Sequence, residues 1–288
     1  MSEEQATYSL PIRRGLSYED YDAVDAWRPS VIVEMSKSPF HVHWARWGNG
    51  LKKETESLIW GQAVHIAAFE PLEFDLRVEA ADGKRTAKAK AEAKERGTIL
   101  LKPGDVQFGY NSAVQAASRL FDYAPIRPFL ECGGQREISL FTEEFGLPVK
   151  CRMDYLTSRG EILDLKTARD ISARRFSGDF YRYQYDVKLG LYQRWTRRLF
   201  DLPEVPVHLL LVENQAPFDR TLAPRVDGVP ISIPQPVLDR GAEKGLRWLE
   251  RIRECMESGV WPGIDVEPDW TLQTPTWEMD EDMQEFEG

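Results

Sequence analysis

Between residues 136 and 166 apolar and polar positions alternate with the period of a β-strand. In Val149-Lys150-Cys151-Arg152-Met153-Asp154-Tyr155-Leu156, the apolar Val149, Cys151, Met153 and Tyr155 fall on one face and Asp154 on the other. Thr157-Ser158-Arg159-Gly160 reads as a turn, and Glu161-Ile162-Leu163-Asp164-Leu165-Lys166 as a second strand with Asp164 and Lys166 pointing the same way. A strand over 136–145 precedes them, so the pattern predicts an antiparallel meander. Helices are predicted over 57–69, stopping before Pro71, and over 111–123, 185–200 and 237–257; a further strand is predicted over 207–212. Gly61, inside the first of these helices, marks a close backbone approach. The segment ahead of Ser57 reads as irregular. A meander followed by a helical crossover to one more strand predicts an α/β fold, a mixed central sheet with helices on its faces. No repeat or linker divides the chain, which predicts one domain over 1–264 with N- and C-terminal helical additions, and an acidic, partly disordered tail over 265–288.

Composition fits that picture. The chain has 288 residues, 42% of them hydrophobic, enough for a sizeable core. No apolar run approaches 18 residues, and Met1-Ser2-Glu3-Glu4-Gln5 has no secretory pattern, so a cytoplasmic protein without membrane contact is expected. Cys132, Cys151 and Cys255 form no close pair, which fits a reducing compartment, and three cysteines cannot supply a four-cysteine iron-sulfur cluster. No phosphate-binding loop is present, so no ATP-driven motor is expected.

A net charge of -10 argues against nucleic acid as a partner. Distribution softens the objection: Glu278, Asp280, Glu281, Asp282, Glu285 and Glu287 crowd the tail, while Arg85 and Lys88, and then Arg169, Arg174, Arg175 and Arg182, are candidate phosphate contacts. The plainer reading of 84–96 is a solvated Ala-Lys-Glu helix face. The tail, acidic with Trp270 and Trp277, would suit docking on a partner or covering a basic channel.

The predicted hairpin sets Asp154 beside Asp164 and Lys166. Two adjacent carboxylates repel unless one is protonated or a cation joins them. Oxygen ligands favour magnesium or manganese, and such a site suits metal-assisted phosphodiester cleavage. The plainer alternative is an exposed hairpin with Asp and Lys paired across strands.

More residues join the pattern in order. His65 stands in Leu58-Ile59-Trp60-Gly61-Gln62-Ala63-Val64-His65-Ile66-Ala67-Ala68-Phe69-Glu70-Pro71, and Glu137 in Arg136-Glu137-Ile138-Ser139-Leu140-Phe141. Cys151-Arg152-Met153-Asp154, Leu163-Asp164-Leu165-Lys166-Thr167 and Tyr183-Gln184-Tyr185-Asp186-Val187-Lys188-Leu189-Gly190-Leu191-Tyr192 follow. From about Gly15 to Asn214 the chain resembles the PD-(D/E)XK nuclease superfamily, and within it RecE-type exonuclease VIII enzymes and their phage relatives. The resemblance implies a restriction-endonuclease-like core and two magnesium or manganese ions held by His65, Glu137, Asp154, Asp164 and the Leu165 carbonyl. Lys166 would position the attacking water or offset phosphate charge. Neighbouring carboxylates make it a poor base, which leaves activation of water to the metal. Relatives carry Gln-x-x-x-Tyr where this chain has Lys188 and Tyr192; Gln184, one turn earlier, is a possible substitute. Met153 replaces the usual proline.

The implied activity is ATP-independent digestion of linear duplex DNA from the 5′ end, leaving a 3′ strand for a separate RecT-like annealing protein. A ring of three or four subunits around the DNA is implied as well. An endonuclease of restriction or repair type, and an inactive DNA-binding scaffold, are the alternatives. Singly, His65 reads as a core or surface histidine and Glu137 as a solvated strand residue. Tyr181, Tyr183, Tyr185 and Tyr192 read first as packing, with a stacking contact to DNA by one of them as the alternative, and His41 and His43 as structural.

Overall fold

The computed structural model describes residues 11–48, 55–81, 86–214 and 231–264, so Arg85 and the acidic tail lie outside it. The meander forms the middle of a six-stranded sheet: β1 (Ile12–Arg13), β4 (Gly134–Glu144), β5 (Leu147–Thr157), β6 (Ile162–Ala168), β7 (Val207–Glu213) and β8 (Ile231–Ser232), neighbours in that order. A separate parallel pair joins β2 (Val78–Ala80) to β3 (Ile99–Leu101). β4, β5 and β6 pair antiparallel; β6 pairs parallel with β7 after a crossover through helices Ala173–Arg182 and Tyr185–Phe200. The fold is mixed α/β, as the pattern predicted.

Each face of the sheet buries its own hydrophobic cluster. On one, Ile138, Leu140, Val149, Cys151, Met153 and Leu209 pack against helices Tyr185–Phe200 and Gln235–Ser258. On the other, Leu163, Leu165, Leu210 and Val212 pack against helices Glu56–Phe69 and Tyr110–Asp122. β7 alternates cleanly between them, as a central strand buried on both sides must.

β5 does not. Tyr155, expected on the face of Val149, Cys151 and Met153, packs in the opposite cluster and stacks on Phe69. The cause lies across the ladder, where Arg136 pairs with Tyr155 and Ile138 with Met153 but Glu137 does not pair with Asp154. Glu137 has φ 50°, a left-handed conformation that costs a non-glycine residue roughly 1–2 kcal/mol. The strand pair therefore changes face at the two acidic residues.

The segment expected to be irregular holds helices Tyr18–Ala23, Pro29–Ile32 and Pro39–Trp47. Ser17 and Ser38 cap the first and third by accepting from the backbone N–H groups of Asp20 and His41, and Pro29 and Pro39 occupy first turns, where a missing N–H costs nothing. Helix Tyr18–Ala23 ends without a basic residue of its own. Instead buried Lys150, from β5, donates to the carbonyls of Tyr21, Asp22 and Val24 at 2.8, 3.0 and 2.7 Å. His41 and His43 are structural as expected: the Nδ1 of His41 lies 2.8 Å from Ser38 Oγ, and His43 packs on Trp47 and Trp261. Among the described residues no helix is long and apolar enough to cross a membrane.

Candidate metal centre

Helix Glu56–Phe69 begins at Thr55, whose side chain accepts from the N–H of Leu58. One turn in, Gly61 faces Thr167 of β6: a Cβ built there would lie 2.7 Å from Thr167 Oγ1. A glycine is needed for the helix to lie this close to the sheet, and one turn later His65 meets Asp154, with 3.5 Å between Nδ1 and Oδ2.

The β5–β6 ladder stops at Tyr155 opposite Leu163, just short of Asp154 and Asp164. Beyond it, the Leu165 N–H donates to Asp154 Oδ2 at 2.7 Å, a carboxylate standing in for a ladder carbonyl. Glu137, displaced by its left-handed backbone, completes the group. One ligand atom each from His65, Glu137 and Asp154 lies within 4.8 Å of the others.

Asp164, 3% exposed, stands behind this trio. Its Oδ2 lies against Lys166 Nζ without the angle of a directed hydrogen bond. The Leu165 carbonyl, expected to face a metal, accepts from Lys166 Nζ at 3.1 Å, and both residues line the cleft.

Three carboxylates gather here against the Lys166 ammonium and one guanidinium. Burial, then the charge of Asp154, pushes Glu137 up to about 7, against the pull of Arg152. Burial and Asp154 likewise raise Asp164, with Lys166 opposing. For Asp154, burial is outweighed by His65, Lys166 and the Leu165 N–H, which hold it low. Burial would lower Lys166, but Asp164 and Asp154 outweigh it and keep the ammonium charged. His65 is raised in the same way: burial opposes and Asp154 prevails. Oxygen and imidazole donors within reach of one another, and a buried carboxylate oxygen without a directed hydrogen bond, fit a divalent cation.

Sequence reading missed Arg152. Its Nε donates to Glu137 Oε2 at 2.5 Å, its Nη1 to the Leu16 carbonyl at 2.8 Å, and its Nη2 lies 3.7 Å from Glu70 Oε2. Arg77 in turn donates to Glu70 at 2.9 Å. In sequence Arg152 looks like any polar strand position; the one signal was its place two residues before Asp154.

Tyr192 lines the cleft, its phenol held well above the usual range by burial and Asp164. Lys188 reaches the site through Tyr185, whose ring centroid is 5.0 Å from Lys188 Nζ and 5.6 Å from Lys166 Nζ. Gln184 is committed elsewhere: its amide donates to the Tyr181 carbonyl and accepts from Lys244. Lys88 is exposed and 3.8 Å from Glu92, as on a solvated helix face. Arg174, Arg175 and Arg182 are exposed on helix Ala173–Arg182, and Arg169 lies in the loop before it.

The centre opens into a cleft of about 710 Å³ lined from both faces of the sheet, by Gly61 and His65 on one side and Tyr185 and Tyr192 on the other. A solved structure of a protein from Eubacterium rectale, provisionally described as an exonuclease, superposes with a TM-score of 0.62 over 93% of this chain and 98% of its own, at 17% identity. That likeness bears on the fold. A second solved structure, SSO0001, aligns over 79% of this chain and 89% of its own at 12% identity, with a TM-score of 0.24, too low to support an argument. No curated protein matches the chain. A family model described as a PDDEXK-like domain of unknown function (DUF3799) matches residues 29–266, and the chain belongs to that family.

Proposed function

We propose that the protein is a metal-dependent exodeoxyribonuclease that resects linear duplex DNA from its 5′ ends, in the manner of RecE-type enzymes. The observation that carries this reading is the convergence of His65, Glu137, Asp154, Asp164 and Lys166 at one cleft. The Eubacterium rectale likeness, provisionally described as an exonuclease, is in keeping with a nuclease.

His65, Glu137 and Asp154 would hold a magnesium or manganese ion, with Asp164 beside them for a second. When bound, such an ion polarises a phosphodiester oxygen and makes a bound water more acidic. Lys166, kept protonated by Asp164 and Asp154, faces the cleft as a donor, suited to charge developing on the phosphate and not to taking a proton from water. Arg152 fixes one oxygen of Glu137 and so aims its carboxylate. Within this reading the 3′ strand passes to a separate annealing protein, and subunits assemble as a ring of three or four about the duplex.

The test is digestion of linear duplex labelled at either end, beside a covalently closed circle, in magnesium or EDTA, comparing wild type with Asp164→Ala. The proposal expects magnesium-dependent loss of 5′ label from linear DNA alone, absent in the variant. Cutting of the circle would favour the endonuclease, and no cutting anywhere would move weight to the inactive scaffold.

A further inference from the structure

Next to the metal centre, sharing Leu58, Thr167 and Tyr185 with its cleft, lies a second cavity of about 870 Å³. Its size is in the range that encloses small ligands. One wall is polar and already organised: buried Asn214 donates from its amide to Ser57 Oγ at 2.7 Å, and its backbone carbonyl accepts from Gln107 Nε2 at 2.9 Å. The other wall is aromatic. Phe176 and Tyr185 stack with centroids 6.4 Å apart and planes 21° apart, and Tyr183 adjoins Tyr185 at 6.0 Å.

Tyr183 is 49% exposed, so much of its ring has no protein partner, and the Arg182 guanidinium lies 5.9 Å from its centroid. Arg169 lines the cavity itself. Asp179 also lines the cavity; it would repel a phosphate but can accept from the exocyclic amine of a base. A half-exposed aromatic ring, nearby guanidinium groups and a hydrogen-bonding wall together match the chemistry of a nucleotide: a base to stack, a phosphate to neutralise and polar edges to meet.

Given the nuclease reading, on which this rests, we infer that the second cavity is a nucleotide subsite of the cleft. The strand held at the metal centre continues past Tyr185, and the next base stacks on Tyr183. Tyr185, whose ring carries Lys166 and lines both cavities, marks the boundary between the reacting phosphate and this subsite.

The test uses the full chain carrying Asp164→Asn, calcium, and short fluorescein-labelled single-stranded DNA, read by anisotropy. Adding Tyr183→Ala is expected to weaken binding about tenfold or more, whereas Tyr183→Phe, which keeps the ring, stays within about threefold. Because Tyr183 is half-exposed, thermal unfolding should be unchanged. A single abasic position moved along the oligonucleotide should then weaken binding at one site in the parent, with no further loss there once Tyr183→Ala is present. Equal affinities with and without Tyr183→Ala, or the same abasic penalty in both, would overturn the subsite while leaving the nuclease reading standing. Failure of the Asp164→Asn parent to bind any oligonucleotide would overturn the subsite, and the end-labelled duplex digestion decides the nuclease reading separately.

Discussion

Gly61→Ala isolates the step by which the fold positions the metal centre. The added Cβ would lie 2.7 Å from Thr167 Oγ1, about 0.7 Å inside the 3.4 Å at which ordinary contact begins. Thr167 offers little give, because its Oγ1 sits one bond from its own Cβ. Overpacking of this kind costs about 1–3 kcal/mol, and alanine returns about 1 kcal/mol of helix propensity. A net loss of ~0–2 kcal/mol follows, so the protein stays folded. The helix must nevertheless shift by several tenths of an ångström, carrying His65 away from Asp154. Misplacement approaching 1 Å typically costs on the order of 100-fold in rate. We therefore expect Gly61→Ala to cut nuclease activity ten- to 100-fold and to weaken manganese binding measured by calorimetry, with little change in urea unfolding. Removing the obstacle should reverse this. With Thr167→Ala added, the closest remaining Thr167 atom is Cβ at 3.7 Å, an ordinary contact. The double variant should regain most of the metal affinity and rate seen with Thr167→Ala alone. Wild-type behaviour of Gly61→Ala, or a double variant as impaired as the single, would refute the argument.

Arg152→Met should cost about 1–3 kcal/mol in urea unfolding, since it leaves the half-buried Glu137 carboxylate and the Leu16 carbonyl without their donor; no loss would mean that the pair is not holding Glu137. Lys150→Met should lower stability by about 2 kcal/mol by leaving three carbonyls at the end of helix Tyr18–Ala23 without a donor, and enhanced hydrogen exchange confined to that helix would identify the cause. His208 is held below its ordinary 6.5 by burial, with Glu161 opposing. Folded, it binds fewer protons than when unfolded, so its contribution is full above about pH 6.5 and is lost as pH falls below that. Urea midpoints measured from pH 7.5 to 5 should fall more steeply in wild type than in His208→Gln, and parallel slopes would count against the assignment.

Hydrophobic alternation sufficed for β4 and β5 because Ile138, Leu140, Leu147, Val149, Cys151 and Met153 share one face and Thr157-Ser158-Arg159-Gly160 closes a tight turn; β6 and β7 followed from their apolar runs. The neighbourhood of Asp154, Asp164 and Lys166 was legible for the same reason. The face change at Glu137 was not, since hydrophobicity carries no sign of φ. The N-terminal helices escaped because they are only four to nine residues long and their aromatic content masks a helical period. Helix Ala173–Arg182 buries only Phe176 and Phe180 among arginines, Ser177 and Gly178, too sparse a stripe to read. Gln184 had the right residue type near the right place, but the left-handed turn at its own backbone directs it to Lys244.

Glu137 places two demands on one position that no single residue type meets well. Glycine or asparagine would relax its backbone and delete the carboxylate; aspartate tolerates the conformation better but shortens the reach. While the chemistry is under selection, the strained glutamate is retained at a loss of stability. Once it is not, drift toward a left-handed-tolerant residue relieves the strain. The residue found at this position in other members of the family thus becomes a marker: glutamate for a working centre, glycine or asparagine for a copy that keeps the fold after the chemistry has lapsed.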